Sequence, residues 1–242
     1  AIQQYHIENG LDDPWPVRYV RYIGDVAHGN LGTYGTSHYS VAERISKALP
    51  VTMQLTFMGI FIGAIVSFTL GVIAALYRDQ WPDQIIRVFS IAGLATPSFW
   101  LAVLLILVFA STLKLLPASG ALPDPTVNLG GYLARMIMPA FALAVPMSGQ
   151  MTRIVRTAMV EELDKDYVRT ARGAGIPERI VIARNVLRNA LITPVTTLGL
   201  KIGYLMGGAV VIEVIFNLPG MGTAILEGIQ GNEAMLVQGV VV

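Results

Sequence analysis

The chain has 242 residues, of which 54% are hydrophobic and only 14% charged, against roughly 25% charged in an ordinary soluble protein. Intrinsic disorder, which needs few apolar and many charged residues, is excluded. Zero cysteines exclude a disulfide scaffold or a thiolate metal site, and a net charge of +1 offers no basic excess for nucleic acid.

Residues 1–47 are mixed and polar. They hold all three histidines, His6, His28 and His38. Their spacing, 22 and then 10 residues, fits no metal-ligand pattern, and they read as solvated side chains. Beyond them the charges become uneven. Ala48–Tyr77 is a 30-residue run without charge, Val88–Leu113 one of 26, and Met136–Thr152 one of 17. Asn189–Ile212 is a run of 24 with the single charge Lys201. About 20 apolar helical residues cross a bilayer core, so these four runs predict membrane helices. A fifth run, Ala234–Val242, stops after nine residues. The chain therefore reads as part of a longer protein, cut at both ends.

Within the runs, Pro97, Pro139 and Pro146 are expected to kink or break their helices. Thr96-Pro97-Ser98 reads either as a gate element or as a packed kink. Gly59, Gly63, Ser67 and Gly71 recur every four residues, as do Gly199, Gly203 and Gly207. Such stripes allow close helix approach, the second one near a subunit interface or pore. Lys201 and Glu213 lie in or at the edge of the last full run, where charge faces protein or water. Twelve residues separate them, about 18 Å along a helix, so they are not expected to pair. Lys201 either lines a pore or snorkels toward a membrane surface.

Orientation follows from the basic residues. Eight of seventeen Lys/Arg lie in 153–188 (Arg153, Arg156, Lys165, Arg169, Arg172, Arg179, Arg184 and Arg188), and none in 217–231. The first segment is therefore expected in the cytoplasm and the second outside. By alternation 114–135 and 1–47 fall outside and 78–87 inside. Ala158–Arg172 is rich in helix formers, with Lys165, Arg169 and Arg172 on one face and Leu163, Tyr167 and Ala171 on another. Gly173-Ala174-Gly175-Ile176-Pro177-Glu178 then supplies a helix stop and a new start. Glu178 in the next first turn complements its dipole. Ile180, Ala183, Leu187 and Leu191 form the apolar face of the second helix, which enters the membrane near Pro194. On these grounds the helix-turn-helix is either an interfacial lipid-surface element or a docking element for a cytoplasmic partner.

The stretch from Asp166 to Arg179, followed by Leu187-Arg188-Asn189-Ala190-Leu191, resembles the cytoplasmic loop of bacterial ABC-importer permeases. That loop has the pattern Glu-Ala-Ala, three residues, Gly, nine residues, Ile-x-Leu-Pro. Aligned on Gly175, Ala171 matches the second Ala and Leu187 the Leu. Arg169, Thr170, Asn185 and Arg188 depart from the pattern as the dipeptide/oligopeptide branch does. Pro14, Arg18-Tyr19, Gly29-Asn30-Leu31-Gly32, Thr96-Pro97-Ser98-Phe99-Trp100, Leu116-Pro117-Ala118-Ser119-Gly120 and the run Glu213 to Gly222 agree with that branch. The chain is most similar to its first ("B") permease subunit.

The resemblance implies an all-α type I ABC-importer transmembrane domain (MetI-like), with helices two to five and the start of helix six. Residues 1–47 would be the extracytoplasmic stretch after a first helix, and 48–242 the transmembrane domain with its coupling loop at 153–188. It implies a multi-pass bacterial cytoplasmic-membrane subunit importing dipeptides or oligopeptides. Its partners would be a second permease, two cytoplasmic ATPases, an extracytoplasmic binding protein and membrane lipid, with no nucleic acid. ATP and Mg would bind the ATPases and no cofactor this chain, which lacks any Gly-Lys dipeptide and so any Walker-type loop. Asp166, Arg169, Thr170, Ala171, Arg172, Gly175, Pro177, Glu178 and Arg179 would form the coupling element, with Arg169, Arg172 and Arg179 facing acidic groups of the ATPase. Thr96, Pro97, Ser98, Gly199, Lys201, Gly203, Gly207 and Glu213 are the pore or gate candidates. Nickel or glutathione importers have similar permeases. An ion-coupled secondary transporter is the more distant alternative, with no inverted repeat to support it.

Overall fold

A bilayer supplies no hydrogen-bond partners, so an apolar run must satisfy its own backbone and therefore becomes helical. The computed structural model of the protein describes residues 13–241, which fall into two compact units, 50–223 and the remainder.

Among the described residues three single helices are long and apolar enough to cross a membrane. They are α2 (Val41–Leu76), α5 (Leu129–Leu163) and α9 (Ile192–Phe216). At 1.5 Å per residue the 36 residues of α2 extend about 54 Å, well beyond a bilayer core of about 30 Å. Asn128 opens α5 by accepting the Gly131 N–H at 2.8 Å, which satisfies one free donor of the first turn. Helix α5 runs through both Pro139 and Pro146, so neither breaks it.

Helix α5 is the centre of the larger unit, buried along most of its length. Met136, Leu143, Met147 and Met151 pack there with Leu55 of α2 and Ala209, Ile212 and Phe216 of α9. The α2 glycine stripe makes this contact. A Cβ on Gly59 would lie 3.2 Å from the Leu143 Cβ, and one on Gly71 2.6 Å from the Val155 Cβ and 3.0 Å from the Thr152 carbonyl. The second stripe differs: a Cβ on Gly199, Gly203 or Gly207 would meet nothing within 4 Å.

The charge-free run 88–113 does not form one continuous helix. Helix α3 (Trp81–Ala95) ends at Thr96, and α4 (Ser98–Leu105) continues as a π-helical segment, Ile106–Thr112. The two arms meet at 99°. Proline disfavours helical geometry at the preceding residue, and here Thr96 is extended at φ −82°, ψ 118°. The predicted helix from Ala158 to Arg172 is likewise two. Lys165, at ψ 149°, separates the end of α5 from α6 (Asp166–Gly173).

After the turn come α7 (Glu178–Ile180), a π-helical turn Val181–Val186, and α8 (Leu187–Ala190). A π-turn closes i to i+5, which rotates the buried face. Val181, Val186 and Ala190 are therefore inside, and Ile180 of the predicted apolar face is 43% exposed. Pro194 sits in the first turn of α9, where proline is tolerated.

The smaller unit holds α1 (Trp15–Ala27) and a hairpin of β1 (Thr33–Tyr34) with β2 (Tyr39–Ser40). The start of α2, the end of α10 (Met221–Gln230) and α11 (Ala234–Val241) complete it. Thr33 pairs with Ser40 and Tyr34 with Tyr39. Arg44 holds Glu227 at 3.1 Å, and Gly239 lies where a Cβ would come within 2.6 Å of Val41.

Candidate functional site

The basic loop is anchored by packing and exposed at its tip. Val168 of α6 is fully buried among Ala75, Val155, Met159, Val181 and Val186. A polar brace runs beside it. Glu162 accepts from the Tyr167 hydroxyl at 2.6 Å and from Lys165 at 2.9 Å, and Asn189 reaches Tyr167 at 3.3 Å. Burial and the Glu162 carboxylate together push the Tyr167 hydroxyl above its ordinary pKa.

Gly175 makes the turn at φ +75°, a conformation that disfavours other residues, and nothing lies within 4 Å of its missing Cβ. Ile176 N–H closes the turn on the Ala171 carbonyl at 3.3 Å. Pro177 precedes α7 as its cap rather than entering it. Thr170 donates to the Asp166 carbonyl at 3.0 Å. Arg172 is not free: its guanidinium holds both oxygens of Glu178, at 2.5 and 3.0 Å. That pair keeps the Glu178 carboxyl below the usual carboxylate range. Arg169 meets Asp166 only at 3.5 Å with its side chain 71% exposed, and Arg179 is exposed. The tip thus offers Arg169 and Arg179, while Arg172 fixes its shape.

The structure brings several gate candidates together. Thr96, Pro97, Ser98 and Phe99 line a cleft of about 680 Å³ with Gly203, Tyr204 and Gly207. Gly199 lies on the same exposed α9 stripe. Lys201 donates to Gln150 of α5 at 2.6 Å and stands 5.2 Å from the Tyr204 ring centre. Gln150→Leu would leave that ammonium without its oxygen, at an expected cost of about 1–3 kcal/mol. Adding Lys201→Leu is expected to restore most of the stability. Thermal unfolding in detergent checks this, and a double variant no more stable than the single one would disprove the pairing.

Glu213 stands apart from Lys201. It is fully buried and holds the turn after α9, accepting the Gly222 N–H at 2.6 Å. Asn217 ends α9 in left-handed geometry at φ 50°. The Met221 N–H reaches the Thr52 hydroxyl at 2.9 Å, and the Glu213 carboxylate leaves no room for a Cβ on Gly220. This supports a structural role for the stretch Glu213 to Gly222.

Buried ions at Arg135 and Asp83 escaped the sequence reading. Arg135 is 3% exposed and donates to the Gly120 carbonyl at 2.8 Å and the Phe216 carbonyl at 3.4 Å. It thereby ties the stretch Leu116 to Gly120 to the end of α9. Asp83 is fully buried, bound through both oxygens by Arg156 at 2.6 Å. No signal in the sequence links positions 83 and 156, because each lies at a different end of a different helix. Among the described residues no cluster of three or more His, Asp or Glu could hold a metal. His28 Nδ1 lies 2.7 Å from the Gly24 carbonyl and His38 is exposed. His6 lies outside the described residues.

Residues 67–242 match the family described as binding-protein-dependent transport system inner membrane component. The "Probable D,D-dipeptide transport system permease protein DdpB" of Escherichia coli (strain K12) is 36% identical, over 98% of this chain and 76% of its own length. The glutathione transport system permease protein GsiC of Salmonella paratyphi A is 33% identical, over 95% of this chain and 72% of its own. A crystal structure of an amino acid ABC transporter with histidines superposes with TM-score 0.57 at 14% identity. It covers 82% of this chain and 85% of that one.

Proposed function

Because the chain belongs to the binding-protein-dependent transport system inner membrane component family, we propose that it is the permease subunit of an ATP-driven importer of short peptides. Its place is the bacterial inner membrane, and its partners are an ATPase and a substrate-binding protein. The observation that carries the substrate reading is the similarity, over nearly the whole chain, to a relative named for D,D-dipeptide transport. Glutathione, itself a tripeptide, falls in the same class, and the similarity at 33% identity to a glutathione permease keeps it as the second candidate.

The division of labour follows from the residues. Hydrolysis belongs to two ATPase subunits carrying ATP and Mg, since this chain has no phosphate loop. The exposed tip around Gly175, with Arg169 and Arg179, contacts acidic groups of the ATPase. Ala171 and Thr170 sit on the same short helix, whose fixed shape comes from the Arg172–Glu178 pair. The cleft at Thr96-Pro97-Ser98, facing Gly203 and Gly207, lies on the side of a second permease subunit or the pore. The exposed α9 stripe supports that placement, because small residues without partners suit close approach of another helix.

The test is reconstitution. Vesicles holding this chain with its permease, ATPase and binding-protein partners should accumulate a labelled dipeptide when ATP is enclosed. Uptake that persists without ATP but collapses with the ion gradient would refute the proposal. Competition between dipeptide and glutathione decides the substrate.

A further inference from the structure

We propose that Asp83 is a positioning residue that fastens α3 to α5, so that displacement of the basic loop is delivered to the bend at Thr96–Pro97. This rests on the importer reading above.

A carboxylate removed from water needs compensation at every lone pair. Asp83 has it from three directions. Arg156 donates from Nε and Nη2 at 2.6 Å, Arg87 at 2.9 Å and the Asp79 backbone N–H at 3.0 Å. The network continues from Arg87 to Asp79 at 3.8 Å, from Asp79 to Arg78 at 3.5 Å, and from Arg78 to Asp164 at 3.0 Å. Asp164 caps α5 immediately before α6. One unbroken line of ion pairs therefore runs from the base of the basic loop, across the turn between α2 and α3, to the buried Asp83.

A second attachment prevents α3 from pivoting about this point. At Gly149 of α5 an added Cβ would lie 2.5 Å from the Ser90 carbonyl and 2.8 Å from the Leu94 nitrogen. The backbones touch there. Gly93 lies ten residues after Asp83, about 15 Å along α3. Fixed at both ends, α3 moves with α5 and the loop as one body. The first soft joint beyond it is Thr96–Pro97, where the chain is extended and turns through 99°. On its far side the cleft is lined by Gly203 and Gly207, where a Cβ would meet nothing within 4 Å, so the joint has space to move.

A mere structural staple would make the same contacts, so the test must separate coupling from folding. The quantity to measure is substrate taken up per ATP hydrolysed, per assembled complex, in vesicles holding all partners. Asp83→Asn is expected to lower this ratio about tenfold, within the range of ordinary coupling energies, while ATPase activity stays within about twofold. Asp83→Glu should restore much of it. Arg156→Lys keeps the charge but loses the two-pronged grip, and it should lower the ratio in the same direction. If Asp83→Asn fails to assemble, Arg156→Lys decides the matter alone. A ratio unchanged per assembled complex, or a ratio that falls only in step with ATPase activity, would overturn the proposal. If wild-type vesicles take up glutathione and no dipeptide, the substrate reading fails and the same ratio is read with glutathione.

Discussion

Gly149→Leu should cost the chain about 3 kcal/mol of stability. The neighbours of a Cβ at this position are backbone atoms of α3, at 2.5 and 2.8 Å. Backbone cannot change rotamer, so the two helices must separate, and the Asp83–Arg156 grip lies on the same pair of helices. Gly199→Leu provides the contrast. Nothing lies within 4 Å of its Cβ, and the isolated chain should lose less than about 0.5 kcal/mol. Unfolding in mixed detergent, followed by circular dichroism, compares the two. Equal losses would mean that α3 and α5 do not approach as closely as the structure places them.

The second large effect is on partner binding. Gly175→Glu should remove most ATPase co-purification while the permease itself remains folded. Two causes act together. The left-handed conformation at φ +75° costs a non-glycine residue about 1–2 kcal/mol, and a carboxylate at the tip opposes the acidic surface that Arg169 and Arg179 are proposed to meet. Gly175→Asn separates them, since asparagine tolerates this conformation and carries no charge. It should retain most of the ATPase. If Asn and Glu variants bind equally well, the tip is not the contact. The Arg172–Glu178 pair adds a pH dependence. Its folded-state carboxyl titrates below the usual range, so its contribution is full at neutral pH and is lost only as pH falls through that lowered value. Co-purification should therefore be flat from neutral pH down into the ordinary carboxylate range.

Much of this is legible in the sequence. Charge-free runs gave the spanning helices, because hydrocarbon excludes charge irrespective of what a helix packs on. The Gly59–Gly71 spacing announced a close helix contact, and Gly-Ala-Gly-Ile-Pro the exposed turn, since both depend on local backbone geometry. The bend at Thr96–Pro97 was expected as a kink, but its 99° angle and its effect on the run 88–113 depend on what the two arms pack against. The buried face after Pro177 shifted because a π-turn changed the period, which no 3.6-residue pattern reveals.

The sequence by itself determined that this is a multi-helix membrane protein with one strongly basic loop and two glycine stripes. Only the tertiary structure decided which stripe is used within the chain, that Arg172 is held by Glu178 across the turn, and that Asp83 is held by Arg156 73 residues away. The physical reason is range. Hydropathy, helix starts and glycine turns are set by neighbours a few residues apart, whereas an ion pair between helices exists only once the fold has brought its two members out of water together.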